Sequence, residues 1–213
     1  MSIAEAPRDC PACPRLVAYR AANARAEPTW FNGPAPSFGD EDARLLIVGL
    51  APGRAGANRT GRAFRGDYAG DLLYATLSDL RLARGAYRAS PDDGLTLHGV
   101  MITNAVRCAP PQNKPTPAEI ATCNGFLASR IAALPSLKVM VALGRIAHDA
   151  ALKALGRKAS AAAFGHGARH ELGALTLFDS YHCSRYNTQT RRLTAQMFAD
   201  VLRAARDAAG IAA

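Results

Sequence analysis

The chain has 213 residues, 49% of them hydrophobic, and 26 Lys and Arg stand against 17 Asp and Glu for a net charge of +9. That length can bury a full core and predicts one domain over residues 1–213, while no apolar run reaches the ~18 residues of a membrane span. The start, MSIAEAPRDCPAC, is unlike a signal peptide, so the chain is expected in the cytoplasm. Its basic excess, with Arg far outnumbering Lys, predicts a polyanionic partner, nucleic acid first.

Cys10 and Cys13 form a C-x2-C pair, and PRLVAYRAANARA after it reads as a short helix. Pro28 to Pro36, with Trp30 and Phe31, is a loop. Leu45 to Val48 is a short buried strand, followed by a loop containing Gly49, Gly53, Gly56, Gly61 and Gly66. Gly70 to Arg84 predicts a helix with Leu72, Leu73, Leu77 and Leu80 on one side. Arg84 to Gly94 is polar, and S-P-D-D-G marks a turn. Leu95 to Val106 reads as a second buried strand. The segment RCAPPQNKPTP is irregular, because its prolines lack donors. Thr116 caps a helix from Pro117 to about Leu134, with Glu119 near capping-box spacing. Lys138 to Leu143 is a third strand, running into Gly144 and a helix over Arg145 to Leu155. Lys158 to Arg169 is a loop with Gly165-His166-Gly167. Ala174 to Ser180 is a fourth strand, leading through YHCSRYNTQT to a last amphipathic helix, Leu193 to Ala208. This alternation predicts an α/β fold with a mostly parallel four-stranded sheet covered on both faces.

Two constellations carry chemistry. Clustered thiols in a reducing compartment bind metal more often than they pair. Cys10, Cys13, Cys108 and Cys123 suit tetrahedral zinc or an iron–sulfur cluster. A zinc ribbon carries two C-x2-C knuckles and only one is present, which favours [4Fe–4S]. Cys183, beside His182, has no second base nearby in sequence and reads as a bystander.

The second constellation is the strand ends. A parallel sheet brings Gly49 to Asp67, Asn104 to Asn113, Gly144-Arg145 and His182 to Asn187 to one edge, where open α/β sheets bind ligands. The glycine-rich loop leaves backbone N–H groups open to a close approach. Neither G-x-G-x-x-G nor a P-loop follows the first strand. An aromatic plate (Phe64), amides (Asn104, Asn113), a histidine, a carboxylate and several arginines form a kit for gripping a flipped base and its backbone.

The stretches GLAPGRAGANRTGRAFRGD, VRCAPPQNKPTP, ALGRIA, FGHGA and SYHCSRYNTQTRRLT resemble, in order, the motifs of the family 5 (type B) uracil-DNA glycosylases. The resemblance implies a three-layer α/β/α fold and a [4Fe–4S] cluster on Cys10, Cys13, Cys108 and Cys123. It also implies hydrolysis of the N-glycosidic bond of uracil in DNA, with hypoxanthine, xanthine and other deaminated bases as further substrates in some members. On this reading Asp67, His182 and Asn113 serve the chemistry. Gly49, Leu50, Ala51, Gly53, Phe64 and Asn104 hold the base. Asn58, Arg59, Arg62, Gly144, Arg145, Arg185, Asn187 and Arg191 meet DNA, with Arg192 beside them. Two positions depart from related motifs: Leu50 stands where family 4 carries Glu, a trait of family 5, and Cys183 stands where H-P-S carries Pro. Asn104 resembles the base-reading Asn of family 4. Lys114 is the one lysine among the strand-end motifs, so a monofunctional enzyme without a Schiff-base step is expected, acting as a monomer. A non-catalytic damaged-DNA-binding protein of the same fold and a zinc-stabilised hydrolase of another substrate class are the competing readings.

Overall fold

The computed structural model describes residues 5–88 and 93–212. Its main sheet has six strands. β1 (Phe38–Gly39), β2 (Leu45–Gly49), β5 (Val100–Asn104), β6 (Val139–Leu143), β7 (Arg169–Glu171) and β8 (Thr176–Ser180) lie in the order β1-β5-β2-β6-β8-β7. The inner four are parallel, and the short β1 and β7 close the two edges antiparallel. β3 (Ala83–Arg84) and β4 (Thr96–Leu97) form a separate antiparallel pair.

Buried aliphatic runs on both faces account for the parallel core. Leu45 and Ile47 of β2 point into one apolar layer, and Leu46 and Val48 into the other. Helices α3 (Tyr68–Asp79) and α7 (Ala195–Ala209) cover the first face. Along α7, Phe198, Val201, Leu202, Ala205 and Ala209 recur at helical spacing and are buried there. Helices α4 (Pro117–Ala132) and α5 (Arg145–Ala154) pack together on the second face. Three layers result, α/β/α. The remaining helices are α1 (Pro14–Ala26), the single turn α2 (Ala57–Thr60) and the short α6 (Arg185–Gln189). Among the described residues no helix is long and apolar enough to cross a membrane.

Several expectations shift. The predicted strand Leu95 to Val106 divides at Gly99, whose φ of 66° ends β4 and starts β5. Helix α3 begins earlier than expected, because Asp67 caps it by accepting from Gly70 N–H at 2.9 Å. It also ends sooner, at a turn with Arg81 at φ 59°. α6 lies in the segment expected to be loop, with Ser184 at its N-cap. The proline segment holds one 3-10 turn, Pro111–Asn113. The Thr116–Glu119 pair forms a full capping box. Of the S-P-D-D-G turn, residues 90–92 lie outside the described residues.

Candidate functional site

The carboxyl ends of β2, β5 and β8 converge. Gly49 is the register partner of Asn104, which brings the glycine loop against the end of β5. Asn104 is 2% exposed, and its Oδ1 has no hydrogen-bond partner among the described residues. A Cβ on Gly49 would lie 2.5 Å from that oxygen and 2.5 Å from the Phe64 ring, so only glycine admits this approach. Phe64, in the left-handed region at φ 56°, stacks on His182 with ring centroids 5.9 Å apart. Phe64, Asn104, Asp67 and His182 line one recess together with Ala51 and Gly53.

Asp67 uses its two oxygens differently. Oδ1 caps α3, while Oδ2 lies against the backbone of Gly53 and Gly56, where a Cβ would come within 3.2 and 2.5 Å. Burial pushes its carboxyl above the usual carboxylate range, against the lowering effect of the Gly70 N–H. His182 follows β8, and its carbonyl accepts from Asn187 Nδ2 at 2.8 Å. On one side of it, Tyr181 N–H donates to His166 Nδ1 at 3.1 Å; on the other, the Cys183 thiol donates to Ala69 carbonyl at 3.4 Å. Burial pushes the His182 imidazole down to about 4, so it is neutral at pH 7. Cys183 is fully buried, and burial raises its thiol far from the reactive range.

The recess opens onto a cleft that adds Leu50, Asn113, Arg185 and Tyr68. A second cleft beyond His182 takes in Gly144, Arg145 and Asn187, with Phe164, Tyr181 and Arg192. Cations lie over rings on both sides: Arg185 on Tyr68, Arg145 on Phe164 and Arg192 on Tyr181. Tyr68, Tyr186 and Ile146, the exposed large apolar side chains among the described residues, follow Asp67, His182 and Gly144 in the chain; Tyr186 is 71% exposed. Phe164, Tyr181 and Tyr186 escaped the sequence reading. For the two tyrosines the available signal was the Y-x3-R-Y pattern of Tyr181, Arg185 and Tyr186 around His182.

Two expected DNA contacts are internal instead. Asn58 is buried, its amide donating to Asn32 Oδ1 at 3.0 Å. Arg62 is buried in a forked pair with Asp93, at 2.9 and 2.6 Å. Arg59 is half-buried and donates to Ala55 carbonyl at 2.7 Å, and Arg191 is exposed; neither lines the clefts described.

Away from the recess, Cys10, Cys13, Cys108 and Cys123 line one mainly apolar pocket with Leu16, Val106 and Phe126. Arg20 Nη1 donates to Cys108 Sγ at 3.4 Å and Arg107 N–H to Cys123 Sγ at 3.3 Å. Burial pushes the Cys13 and Cys108 thiols up, and the Cys123 thiol to about 11. The other metal-capable group among the described residues is His148, His170 and Asp179, with ligand atoms within 4.8 Å of one another. Those atoms are already paired: Asp179 meets His148 Nδ1 at 2.7 Å and His170 Nε2 at 2.9 Å.

A doubly wound α/β protein with a ligand recess at its strand ends, arginine–aromatic rims and a separate four-cysteine pocket is thus defined. The model of the Uracil DNA glycosylase superfamily matches residues 36–206. The type-5 uracil-DNA glycosylase of Thermus thermophilus is 48% identical over 209 residues, covering 95% of this chain and 94% of its own. That of Pyrobaculum aerophilum is 42% identical over 206 residues, 95% and 90% of the two chains. That of Mycobacterium bovis is 43% identical over 211 residues, 95% and 79%. The chain belongs to the uracil DNA glycosylase superfamily, in its type-5 group.

Proposed function

We propose that the chain removes uracil from DNA by hydrolysing the N-glycosidic bond, leaving an abasic site. The observation that carries this is the recess where a carboxylate, a neutral imidazole, an aromatic face and an unpaired amide oxygen converge. In the reaction the C1′–N1 bond breaks with its electron pair going to the base, water adds hydroxyl to C1′, and the proton that water gives up ends on the released base. The sugar gains positive character and the base negative, so a carboxylate under one and donors around the other lower the barrier. Asp67 Oδ2 stabilises the sugar cation or orients the water. Neutral His182 donates to the carbonyl oxygen on which charge collects. Asn104 Oδ1 accepts from the ring N–H of uracil; cytosine has no such proton, which leaves the acceptor unpaired and disfavours it. Hypoxanthine and xanthine carry a comparable ring N–H beside a carbonyl and are proposed as further substrates. Phe64 stacks on the base, for about 1–3 kcal/mol. Asn113 at the mouth and Asn187 behind His182 complete the set. Arg145, Arg185 and Arg192 on the rims take the phosphates.

The four-cysteine pocket suits a [4Fe–4S] cluster on Cys10, Cys13, Cys108 and Cys123. A zinc ribbon carries two C-x2-C knuckles, whereas here only Cys10 and Cys13 have that spacing and Cys108 and Cys123 stand fifteen positions apart. N–H donors to two of the sulfurs and an apolar lining suit such a cluster as well. Bound there, the group would clamp the segment leading into α1 to the β5–α4 connection and to α4 itself.

The test is incubation with duplexes carrying a single U·G, U·A or hypoxanthine·T pair, followed by alkali. Scission at the uracil is expected. Intact strands with every duplex and with single-stranded uracil DNA would overturn the proposal. Iron and acid-labile sulfide are expected in the purified protein, and zinc alone would overturn the cluster. Gly49→Ala probes the recess directly. Its Cβ displaces Phe64 or Asn104, so kcat/KM should fall at least about tenfold, with a stability cost of about 1–3 kcal/mol. Unchanged kinetics would separate Gly49 from the base site.

A further inference from the structure

The turn over residues 62–66 carries Phe64 in a backbone conformation that few non-glycine residues adopt, at φ 56°. Contacts outside the recess hold it there. Arg62 Nη1 and Nη2 meet Asp93 Oδ1 and Oδ2 at 2.9 and 2.6 Å, with both side chains buried. Arg65, on the other side of Phe64, reaches the same Asp93 Oδ2 at 3.3 Å. Asp93 is itself fixed by the N–H groups of Arg88 and Leu95, each at 3.1 Å. Between the two arginines, Ala63 carbonyl accepts from Tyr74 hydroxyl at 2.7 Å. After them, Gly66 N–H donates to Tyr87 hydroxyl at 3.1 Å, and the two phenol rings stack 4.6 Å apart. The next residue is Asp67.

We infer that Asp93 is a positioning residue for the excision reaction: by holding Arg62 and Arg65 it fixes the left-handed turn that presents the Phe64 ring to the base. A carboxylate serves this better than a neutral group. It takes the Arg62 fork and the Arg65 charge at once, and its loss leaves Arg62 buried without its counter-ion. Asp93 itself touches neither the recess nor the rims. The inference rests on Phe64 acting as the base-stacking plate.

The experiment is a double-mutant cycle between Asp93→Asn and Phe64→Ala, with kcat, KM for uracil duplex, inhibition by free uracil and melting temperature measured for each protein. A small misplacement of a positioned group costs up to about 10²-fold. Asp93→Asn is therefore expected to lower kcat about 10–100-fold and weaken free uracil binding, while KM for duplex stays within about twofold. Asp93→Glu should restore part of kcat. In the Phe64→Ala background Asp93→Asn should add little, because its target is gone. An equal loss in both backgrounds, or a loss confined to KM, would overturn the inference while leaving Phe64 in its role. A fully active Phe64→Ala protein would overturn the stacking reading first, and the inference with it. If Asp93→Asn does not fold, Asp93→Glu is carried through the same cycle, because its longer side chain keeps the charge but shifts both arginine contacts. The same failure to add to Phe64→Ala is expected, and full additivity is the overturning result.

Discussion

Asp67→Asn is expected to lower kcat by about 10²–10³ while KM for uracil duplex barely moves. Losses of that order follow removal of one preorganised electrostatic partner of a transition state. The substitution is nearly isosteric, and an amide oxygen can still accept from Gly70 N–H, so the cap of α3 is preserved. What disappears is the charge at Oδ2 beside Gly53 and Gly56. Burial holds the folded-state pKa of this carboxyl above its unfolded value, so ionising it at neutral pH costs stability. Two readouts of opposite sign follow. The rate should fall in the Asn variant, and its melting temperature at pH 7 should match or exceed that of the parent. In the parent, kcat should decline as pH falls through a value above the ordinary carboxylate range, and that limb should vanish in the variant. Single-turnover assays across pH and thermal melts measure both. A variant within tenfold of the parent would remove Asp67 from the chemistry.

His182→Ala should cost a similar factor, and its dependence on the leaving group makes it diagnostic. With its imidazole pushed down to about 4, His182 is neutral from about pH 5 upward, so this group adds no inflection to the rate between pH 5 and 8. A neutral donor assists by hydrogen bonding to the departing anion, and that assistance matters most when the anion is poor. DNA carrying 5-fluorouracil has a better leaving group, so His182→Ala should lose markedly less on it than on uracil. Equal losses on both bases would mean that His182 holds Phe64 and the loop rather than the leaving oxygen. The stacking of the two rings at 5.9 Å makes that alternative outcome measurable, because Phe64→Ala would then lose by the same factor.

Much of the scaffold was legible because its signals are local. Pro14 and the run after Cys13 mark α1, four short aliphatic runs mark the parallel strands, and Thr116-Pro117 with Glu119 marks the start of α4. β1, β3 and β7 span two or three residues, too few for any period to register. The recess was readable as a set of strand ends, since parallel topology forces Gly49, Asn104 and His182 to one edge. The roles of charges in the glycine loop were not. Arg62 looks solvent-facing until Asp93, distant in the chain, is seen beside it. Asn58 likewise depends on Asn32. Asp67 is legible as the carboxylate of the glycine loop; that its Oδ1 caps α3 while its Oδ2 lies against Gly53 and Gly56 is not.

The sheet order has a consequence for how the chain folds. The pairs of the parallel core are all distant in the chain, and Leu45 of β2 pairs with Val139 of β6 although β5 and α4 lie between them. Long loops must therefore close before these contacts form, which slows folding and raises the entropic barrier. The walls of the recess come from strand ends that meet only when β2, β5 and β8 are all in place. Partly assembled chains accordingly lack the recess altogether, and recovery of excision during refolding should lag behind helix formation, tracking the last strand to join.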